Sequence, residues 1–484
     1  MVYYAHMKKL LIAAVSALVS TAFASAPRNV ILFIGDGMST PQRMTADEFA
    51  RKAGFPELVM NRLPYQATTR TCSASSLVTD SAAAATAIAC GEKTYNGAVG
   101  VNASTNRIDS SAVAAKASGR KVGIVTSVTI NHATPAGFYG HRKNRGEGYG
   151  LGLDLLASGF DYFAGGGLDG HDDTNSPSYK GDIYALASGA GYTFVNANAA
   201  AFRALKPGAG KVWYVACDGA MPFAIDADEW GAGLPTLAEL TAKGIELLEN
   251  DRGFFMMVEG GKVDWAGHAN DAATNLREVL ALDEAVRVAL DYQKTHPDTL
   301  VVTTGDHETG GMSMGFAGTG YAFYMDRLAN QKCSSGKIGE YIGANHPATF
   351  GDLKPFLAEN FGFDFSGKKA KDNPMALSKE EIATLSRAFA HDLEMAKKGK
   401  KDDEAYDAHK ISRLPTAVKD IFSHKCGIGW SSGAHTALPV LTTAGGPGAE
   451  RFLGFLDNTD ISKILKELMR DEGEGKREEG RGKR

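Results

Sequence analysis

The chain has 484 residues, of which 44% are hydrophobic and 22% charged, and its formal net charge is −4 at pH 7. This composition is ordinary for a soluble globular enzyme, and the length fits either two or three domains or one large α/β unit with insertions. Because the chain has no broad basic patch, nucleic acid is not expected as the primary ligand.

The sequence of the N-terminal segment predicts that the protein is exported. Two lysines precede an apolar run over residues 10–23, and Ala24-Ser25-Ala26 has the small-x-small form of a signal-peptidase site. The apolar run is well short of a bilayer-spanning helix, so we interpret residues 1–26 as a signal peptide. Either Met1 or Met7 can be the true start. We therefore expect a periplasmic or secreted protein with no membrane anchor after cleavage.

The first apolar segment ends in an acidic residue between two glycines. The run Val30–Ile34 is continuously apolar, as expected of a strand buried on both faces, and Gly35-Asp36-Gly37 follows it. Open α/β sheets place their ligands at the carboxyl ends of such strands, which makes Asp36 a candidate site residue. A simple strand-ending turn is the alternative for this segment alone.

A second candidate is Ser81, at the start of an alanine-rich segment. The β-prone run Leu77–Thr79 is followed by Asp80 and Ser81, and then by residues 82–87, which have the strongest helix-forming composition in the chain. A helix N-terminus favours an anion, so a serine here can be held close to a phosphate-like group. The alternative, that Ser81 is only an N-cap, is the simpler interpretation of this segment taken alone.

Two polar loops follow the next predicted strand, Lys121–Thr126. His132 and Thr134 stand two residues apart, a spacing that allows both to face one site, although such loops are also common without function. The segment 140–145 is a dense cationic cluster that ends in Arg145. A solvated loop is the default interpretation, and an arginine that grips an oxyanion through two parallel hydrogen bonds is the sharper one.

Three potential metal ligands follow the predicted strand Phe254–Val258, namely Glu259, Asp264 and His268. The last two are four residues apart, so one helical turn would bring them to the same face. A carboxylate with an imidazole suits zinc, whereas a carboxylate beside hydroxyls and water suits magnesium. Structural ion pairs are the alternative explanation for this group.

The strand predicted over Leu300–Thr304 repeats the arrangement, because it ends in Gly305, Asp306 and His307. Loops at the carboxyl edge of a parallel sheet lie close together, so this repetition argues for one shared site. His435 follows later, where the regular pattern resumes after an irregular stretch.

We predict an α/β fold, with one three-layer α/β/α domain over residues 27–470 and a central, mostly parallel sheet. The irregular stretch 315–427 is interpreted as an insertion that serves as a subunit interface or a lid, and the charged tail 471–484 is expected to be disordered. Five cysteines survive signal cleavage. An oxidising compartment permits a Cys333–Cys426 bridge, but the spacing does not establish one.

Together these loops supply more carboxylates and imidazoles than one metal needs, and enough for two zinc sites and one hard-cation site. Two zincs would lie roughly 3.5–4 Å apart and act on opposite oxygens of an in-line displacement, one of them activating the serine as an alkoxide. The residues assembled in this way are Asp36, Ser81, Thr134, Glu259, Asp264, His268, Asp306, His307 and His435.

A series of motifs in this chain resembles the alkaline phosphatase family, in the family's order, from about residue 29 to residue 465. The motifs are Gly35-Asp36-Gly37-Met38, Asp80-Ser81-Ala82, His132-Ala133-Thr134-Pro135, Val258-Glu259-Gly260, residues 264–268, residues 304–311 and Gly433-Ala434-His435-Thr436. Each motif alone is weak, but their ordered set is specific. The resemblance implies a homodimer, secreted or periplasmic, that hydrolyses phosphate monoesters of many alcohols.

The resemblance also implies residue roles. Ser81 is similar to the nucleophile that becomes a phosphoserine, and Arg145 to the arginine that holds two phosphate oxygens. The implied metal ligands are Asp264, His268 and His435 for the first zinc, Asp36, Asp306, His307 and the Ser81 oxygen for the second zinc, and Asp36, Thr134 and Glu259 for magnesium.

Two positions depart from the best-known bacterial pattern, which has an aspartate where this chain has His132 and a lysine where it has Trp265. Since an imidazole is a poor ligand for a hard cation, we expect His132 to reach magnesium only through water and the magnesium site to be weaker. Trp265 removes a cation that would help to bind phosphate, so we expect weaker phosphate binding and faster product release.

Two other functions stay open from the sequence. A relative with the same metals and sheet can hydrolyse a phosphodiester or a sulfate ester, although threonine or a modified cysteine usually replaces the serine there. A non-catalytic secreted protein that binds metal or phosphate is the other alternative. It would lack at least one nucleophile or ligand, and this chain lacks none.

Overall fold

The computed structural model describes residues 26–227, 233–397 and 413–470. Its centre is a ten-stranded sheet in the order β14-β2-β13-β8-β1-β7-β3-β4-β6-β5, in which β13 alone runs antiparallel to its two neighbours. The strands are β1 (Asn29–Gly35), β2 (Tyr65–Arg70), β3 (Lys121–Thr129), β4 (Tyr162–Gly166), β5 (Tyr192–Asn196), β6 (Lys211–Val215), β7 (Phe254–Gly260), β8 (Thr299–Gly305), β9 (Glu308–Thr309), β10 (Ser313–Met314), β11 (Ile428–Gly429), β12 (His435–Thr436), β13 (Val440–Gly445) and β14 (Gly454–Asp457). The short strands β9 and β12 pair with each other outside the large sheet, as do β10 and β11.

Helices cover both faces of the sheet. They are α1 (Thr40–Ala53), α2 (Ser81–Cys90), α3 (Ser111–Ala117), α4 (Ala133–Ala136), α5 (Gly148–Ser158), α6 (Ile183–Gly189), α7 (Ala199–Ala204), α8 (Leu237–Leu248), α9 (Lys262–His268), α10 (Ala272–Thr295), α11 (Met325–Leu328), α12 (Gly336–Asn345), α13 (Phe350–Phe361), α14 (Lys379–Lys397), α15 (Arg413–Cys426) and α16 (Asn458–Leu468). Short 3-10 helices occupy Val59–Arg62, Ala224–Asp226 and Ala449–Arg451.

The side chains of β1 show why the sheet has two covered faces. Successive side chains of a strand point to opposite faces. Ile31 and Phe33 pack in one hydrophobic cluster with α1, α8 and α10. Val30, Leu32 and Ile34 pack in the other, with α2, α3 and α16. A continuously apolar strand is therefore the product of burial on both faces, and the predicted α/β fold with a mostly parallel sheet is confirmed.

Three central strands end at the same level. In the parallel register, Gly35 of β1 stands opposite Gly260 of β7 on one side and opposite Gly305 of β8 on the other. The loops that follow these strands consequently start side by side. This alignment brings residues that are far apart in sequence to one edge of the sheet.

The β-prone composition before Ser81 does not produce a strand. The β-prone run Leu77–Thr79 is a bend rather than a strand, and its first two side chains are exposed. The extended segment of this region is β2, which ends at Arg70. β2 pairs with β13, and residues 77–79 lead into α2.

The segment 315–427 carries α11–α15 in its described part. Its helix α14 begins after Ser378, whose hydroxyl accepts from the N–H of Glu381 while the Glu381 carboxylate accepts from the N–H of Ser378, a reciprocal capping box. Apolar side chains of α15, such as Val418 and Phe422, belong to the same hydrophobic cluster as Ile31 of β1. The described part of this segment thus packs on the main core.

The cysteines, the helices and the two ends of the chain bear on the remaining predictions. The five cysteines, Cys333 and Cys426 among them, all lie in the described ranges and form no disulfide there. Within the described ranges, no helix is both long and apolar enough to cross a membrane. The signal-peptide prediction falls on residues that, except for Ala26, lie outside the described ranges, and the predicted tail 471–484 lies outside them entirely.

Candidate active site

The loops after β1, β7 and β8 bring three carboxylates together. Asp36 and Asp306 follow β1 and β8, and Glu259 is the penultimate residue of β7, where it stands opposite Ile34. All three side chains are fully buried. The backbone N–H of Gly37 donates to Asp306 Oδ1 at 3.0 Å, which ties the first of these loops to the third. The shared edge predicted from the repeated strand ends therefore exists.

Ser81 is the first residue of α2, and Asp80 is the N-cap. The Asp80 carboxylate accepts from the N–H of Ala83 at 3.0 Å, so capping does not use the serine hydroxyl. Ser81 Oγ lies 3.4 Å from Asp36 Oδ1 and 3.2 Å from His307 Nε2. The N-cap interpretation of Ser81 is wrong, because its hydroxyl faces the carboxylate cluster.

A first group of potential metal ligands consists of Asp264, His268 and His435. As the spacing predicted, one turn of α9 places Asp264 Oδ1 3.4 Å from His268 Nε2. His435 comes from β12 and places its Nε2 at the same distance from that oxygen. The donor atoms of the three residues lie within 4.8 Å of one another, which is compact enough for one ion.

A backbone carbonyl oxygen orients each imidazole of this group by contacting its Nδ1. His268 Nδ1 lies 2.7 Å from the carbonyl oxygen of Gly433, and His435 Nδ1 lies 2.8 Å from that of Thr79. A carbonyl oxygen only accepts, so each Nδ1 carries a proton, and each ring in its neutral form would present the lone pair of Nε2 to the site. Metal-binding histidines are typically held in this way.

A second group consists of Asp36, Asp306 and His307. His307 Nε2 lies 3.3 Å from Asp36 Oδ1 and 3.3 Å from Asp306 Oδ2. The donor atoms again fall within 4.8 Å of one another. Ser81 Oγ stands against two of these ligands, so it is within reach of an ion held there.

A third group shares Asp36 with the second. His132 Nδ1 lies 3.7 Å from both Asp36 Oδ2 and Glu259 Oε1. Thr134 Oγ1 lies 3.4 Å from Asp36 Oδ2, so its hydroxyl faces the same space. With carboxylate and hydroxyl oxygens and an imidazole at 3.7 Å, this group is richer in oxygen than the other two.

The cationic cluster contains two arginines with different partners. Arg142 is committed to Asp154 of α5 through a bidentate pair, with N···O distances of 2.9 and 2.6 Å. Arg145 instead reaches the site, where Nη1 lies 3.3 Å from Asp80 Oδ2 and Nη2 lies 3.0 Å from His132 Nε2. A third of its side chain is exposed, so an anion can approach it.

The carboxylates carry an excess of buried negative charge. Burial, reinforced by the charges of Asp306, Asp264 and Glu259, raises the pKa of Asp36 well above its ordinary value. Burial likewise raises the pKa of Asp306 to about 7, although the N–H of Gly37 opposes the shift. Buried carboxylates need compensating charge, and bound cations would supply it here.

Unpartnered polar atoms test whether cations fit. His132 Nδ1, Glu259 Oε1 and Asp306 Oδ2 are buried and have no hydrogen-bond partner within the described ranges. Buried polar atoms are nearly always satisfied, so three such atoms around one carboxylate, Asp36, point to missing ligands. The donor set agrees, since carboxylate with imidazole suits zinc and the oxygen-rich third group suits magnesium.

In the first group, the imidazoles offset the charge of the Asp264 carboxylate. Burial alone raises the pKa of Asp264, but the surrounding imidazoles outweigh it and hold this pKa well below its ordinary value. Burial lowers the pKa of His435, but its hydrogen bond to Asp264 raises the pKa to about 9. For the deeper His307, burial prevails and lowers the pKa well below its ordinary value.

Some supporting residues escaped the sequence interpretation. Thr126 donates to Glu259 Oε2, and Thr309 Oγ1 donates to Asp264 Oδ1 at 2.5 Å. Glu308 accepts from Gln42 at 2.7 Å and from Thr436, which fixes the loop between β8 and β9. Thr126 and Glu259 are register partners in β3 and β7, and the sequence carries no signal for this register.

Trp265 stands beside the third group. Its half-buried ring makes an edge-on contact with His132, with the ring centres 6.4 Å apart. Lys262 Nζ lies 5.5 Å from the indole centre, but it is buried and donates to the carbonyl oxygen of Met221 at 2.6 Å. The tryptophan therefore occupies the flank of the site next to the His132–Arg145 pair.

Comparison with known proteins agrees with the motif order. A family model described as alkaline phosphatase matches residues 27–150 and 188–470. Alkaline phosphatase 3 of Bacillus subtilis is 32% identical over 456 residues, which cover 91% of this chain and 89% of that protein. These matches span the fold and all the loops of the site.

Solved structures give the same result. The cold-active alkaline phosphatase of the psychrophile Shewanella sp. is 30% identical, with a TM-score of 0.76, and covers 92% of this chain and 100% of that one. A single-substitution variant of TAB5 alkaline phosphatase, with magnesium bound in the M3 site, is 26% identical with a TM-score of 0.63, and covers 92% and 99%. The chain belongs to the alkaline phosphatase family and is a phosphatase.

Proposed function

We propose that the protein hydrolyses phosphate monoesters through a covalent phosphoserine on Ser81, with two zinc ions and one magnesium ion bound. One observation carries the proposal. The Ser81 hydroxyl faces Asp36 and His307. Arg145 lies on the same side of the site, where it contacts Asp80 and His132. A nucleophile, an anion-binding cation and three ligand groups thus surround one space.

Arg145 would hold the phosphate. Its guanidinium can give two parallel hydrogen bonds to two phosphate oxygens, which fixes the phosphorus relative to the serine. Asp80 and His132 contact different Nη atoms and so set the guanidinium plane. Asp80 also caps α2, so the group that places Ser81 in the helix also positions the arginine.

Ser81 would attack phosphorus in line with the leaving oxygen. The bond between Ser81 Oγ and phosphorus forms as the bond to the alcohol oxygen breaks, and water then attacks the phosphoserine to release phosphate. Burial leaves only 2% of Ser81 exposed, which limits competing reactions of the serine.

The metals would be held by the three ligand groups. When bound, zinc on Asp36, Asp306 and His307 would favour the Ser81 alkoxide, zinc on Asp264, His268 and His435 would stabilise the leaving oxygen, and magnesium on Asp36, Thr134 and Glu259 would neutralise nearby carboxylates. Metal dependence agrees with the unpartnered Glu259 Oε1 and Asp306 Oδ2.

Hydrolysis of p-nitrophenyl phosphate at alkaline pH, with zinc and magnesium supplied, tests the proposal. We expect activity that a chelator removes and that Ser81→Ala abolishes. Ser111→Ala is the matched control, because Ser111 is also a fully buried first residue of a helix but lies in α3. Inactive wild type, or a fully active Ser81→Ala variant, would overturn the mechanism. Faster turnover of bis-p-nitrophenyl phosphate or p-nitrophenyl sulfate would favour the alternative ester classes.

Two further expectations accompany the proposal. The family resemblance predicts a homodimer, and the N-terminal sequence predicts export to the periplasm or the medium. Both stay predictions.

A further inference from the structure

Residues 269–271 form the junction between α9 and α10. Helix α9 ends at His268, directly before Ala269, and also carries Asp264. Asn270 then adopts a positive φ of 53°, and Asp271 caps α10, where its carboxylate accepts from the N–H of Thr274. Any shift of this junction would move His268 relative to His435.

The segment 315–427 contacts this junction from two sides. Lys419 of α15 donates its ammonium to the carbonyl oxygen of Ala269. Gln331 donates to Asp271 Oδ1 at 2.7 Å, and the N–H of Ser335 donates to Asp271 Oδ2 at 2.8 Å. Residues from two distant parts of this segment therefore contact Ala269 and Asp271 of the α9–α10 connection.

Lys419 is an unusual residue to find at such a contact. Only 6% of it is exposed, although lysine is rarely buried without a partner. Burial lowers its pKa, while the charges of Asp271 and Asp420 oppose the shift. A buried ammonium needs acceptors, and the Ala269 carbonyl supplies one next to a proposed metal ligand.

We propose that Lys419 is a positioning residue that fixes the end of α9, so that His268 and Asp264 meet His435 at the spacing zinc requires. This rests on the proposed function, in which these three residues hold one zinc. In this view, the described part of the 315–427 segment is a fixed support of the site, not a lid. Groups that orient metal ligands typically change metal affinity by about 10- to 100-fold when removed.

Zinc retention by the full-length protein tests the proposal. Wild type and variants are dialysed against buffers of stepped free zinc, and bound zinc per chain is measured by atomic absorption. We expect Lys419→Met to lose one zinc at a free-zinc concentration about tenfold higher than wild type does, and Lys419→Arg, which keeps the charge and donors, to lie in between. The matched control is Lys425→Met, because Lys425 is on the same helix and also donates to a carbonyl, that of Ala376, within the segment.

A second background locates the affected zinc. In His435→Ala the first group lacks one ligand, so Lys419→Met should not weaken the zinc that remains. This inference alone would be overturned if wild type and Lys419→Met retained two zincs equally well. It would also be overturned if Lys425→Met lost zinc as readily as Lys419→Met, or if Lys419→Met weakened the remaining zinc in the His435→Ala background. A wild-type chain that binds no zinc would overturn the proposed function as well.

Discussion

Trp265→Lys should tighten the binding of inorganic phosphate. Trp265 projects from α9 against His132, whose Nε2 lies 3.0 Å from the Arg145 guanidinium. For a lysine ammonium at this position we take a separation of about 7 Å from a phosphate held by Arg145, similar to the 6.4 Å between the Trp265 and His132 ring centres. At an effective dielectric constant of about 20, Coulomb attraction over that distance is about 2 kcal/mol per unit charge. Because the flank is half-buried, solvent screening reduces this to roughly 1 kcal/mol, which corresponds to about fivefold tighter binding.

The assay is competitive inhibition of p-nitrophenyl phosphate hydrolysis by inorganic phosphate, at low and high salt. The inhibition constant should fall about fivefold in Trp265→Lys, and the effect should shrink at high salt, because the attraction is electrostatic. Trp265→Met removes the indole without adding charge and should leave phosphate binding near the wild-type value. If Trp265→Met tightens phosphate as much as Trp265→Lys, or if neither variant changes it, the electrostatic reasoning is wrong.

Two other predictions concern the third ligand group and a buried acid. His132→Asp should bind magnesium about tenfold more tightly than wild type in equilibrium dialysis, because a carboxylate is the better hard-cation ligand, and His132→Asn should gain less. Burial raises the pKa of Glu278 from 4.5 to about 7 in the folded chain. A buried acid with a raised pKa makes its full contribution to the free energy of unfolding below pH 4.5, where it is protonated in both states. This contribution is lost as pH rises through 7, by at most about 3 kcal/mol. Glu278→Gln should therefore raise the thermal midpoint at pH 8 but not at pH 4.5, and Glu284→Gln, exposed on the same helix, should do neither.

The strand-end residues could be predicted from the sequence because local patterns encode them. Asp36 follows a continuous apolar run and a glycine, and Asp306 follows the β-prone run Leu300–Thr304 and a glycine, patterns that mark the ends of central strands. Asp264 and His268 are four residues apart, and the helical period alone brings them together. The parallel sheet then places these loops at one edge without further information.

The supports of the site could not be predicted in this way. Only the packed structure shows that Arg142 pairs with Asp154, whereas Arg145 pairs with Asp80 and faces the site. The contact between Lys419 and Ala269 joins residues 150 positions apart, and no local period links them. Contacts of this kind follow from strand register and helix packing, which composition and spacing do not determine.

His132 links Arg145, the proposed phosphate-binding residue, to the third ligand group. Since Arg145 Nη2 donates to His132 Nε2, the proton of a neutral imidazole sits on Nδ1. Nδ1–H then faces Asp36 Oδ2 and Glu259 Oε1, each at 3.7 Å, which is too long for a direct hydrogen bond. With that tautomer His132 has no lone pair to offer an ion, and its contact with magnesium through water stays a prediction. A substitution at His132 should consequently change the arginine and the hard-cation site together.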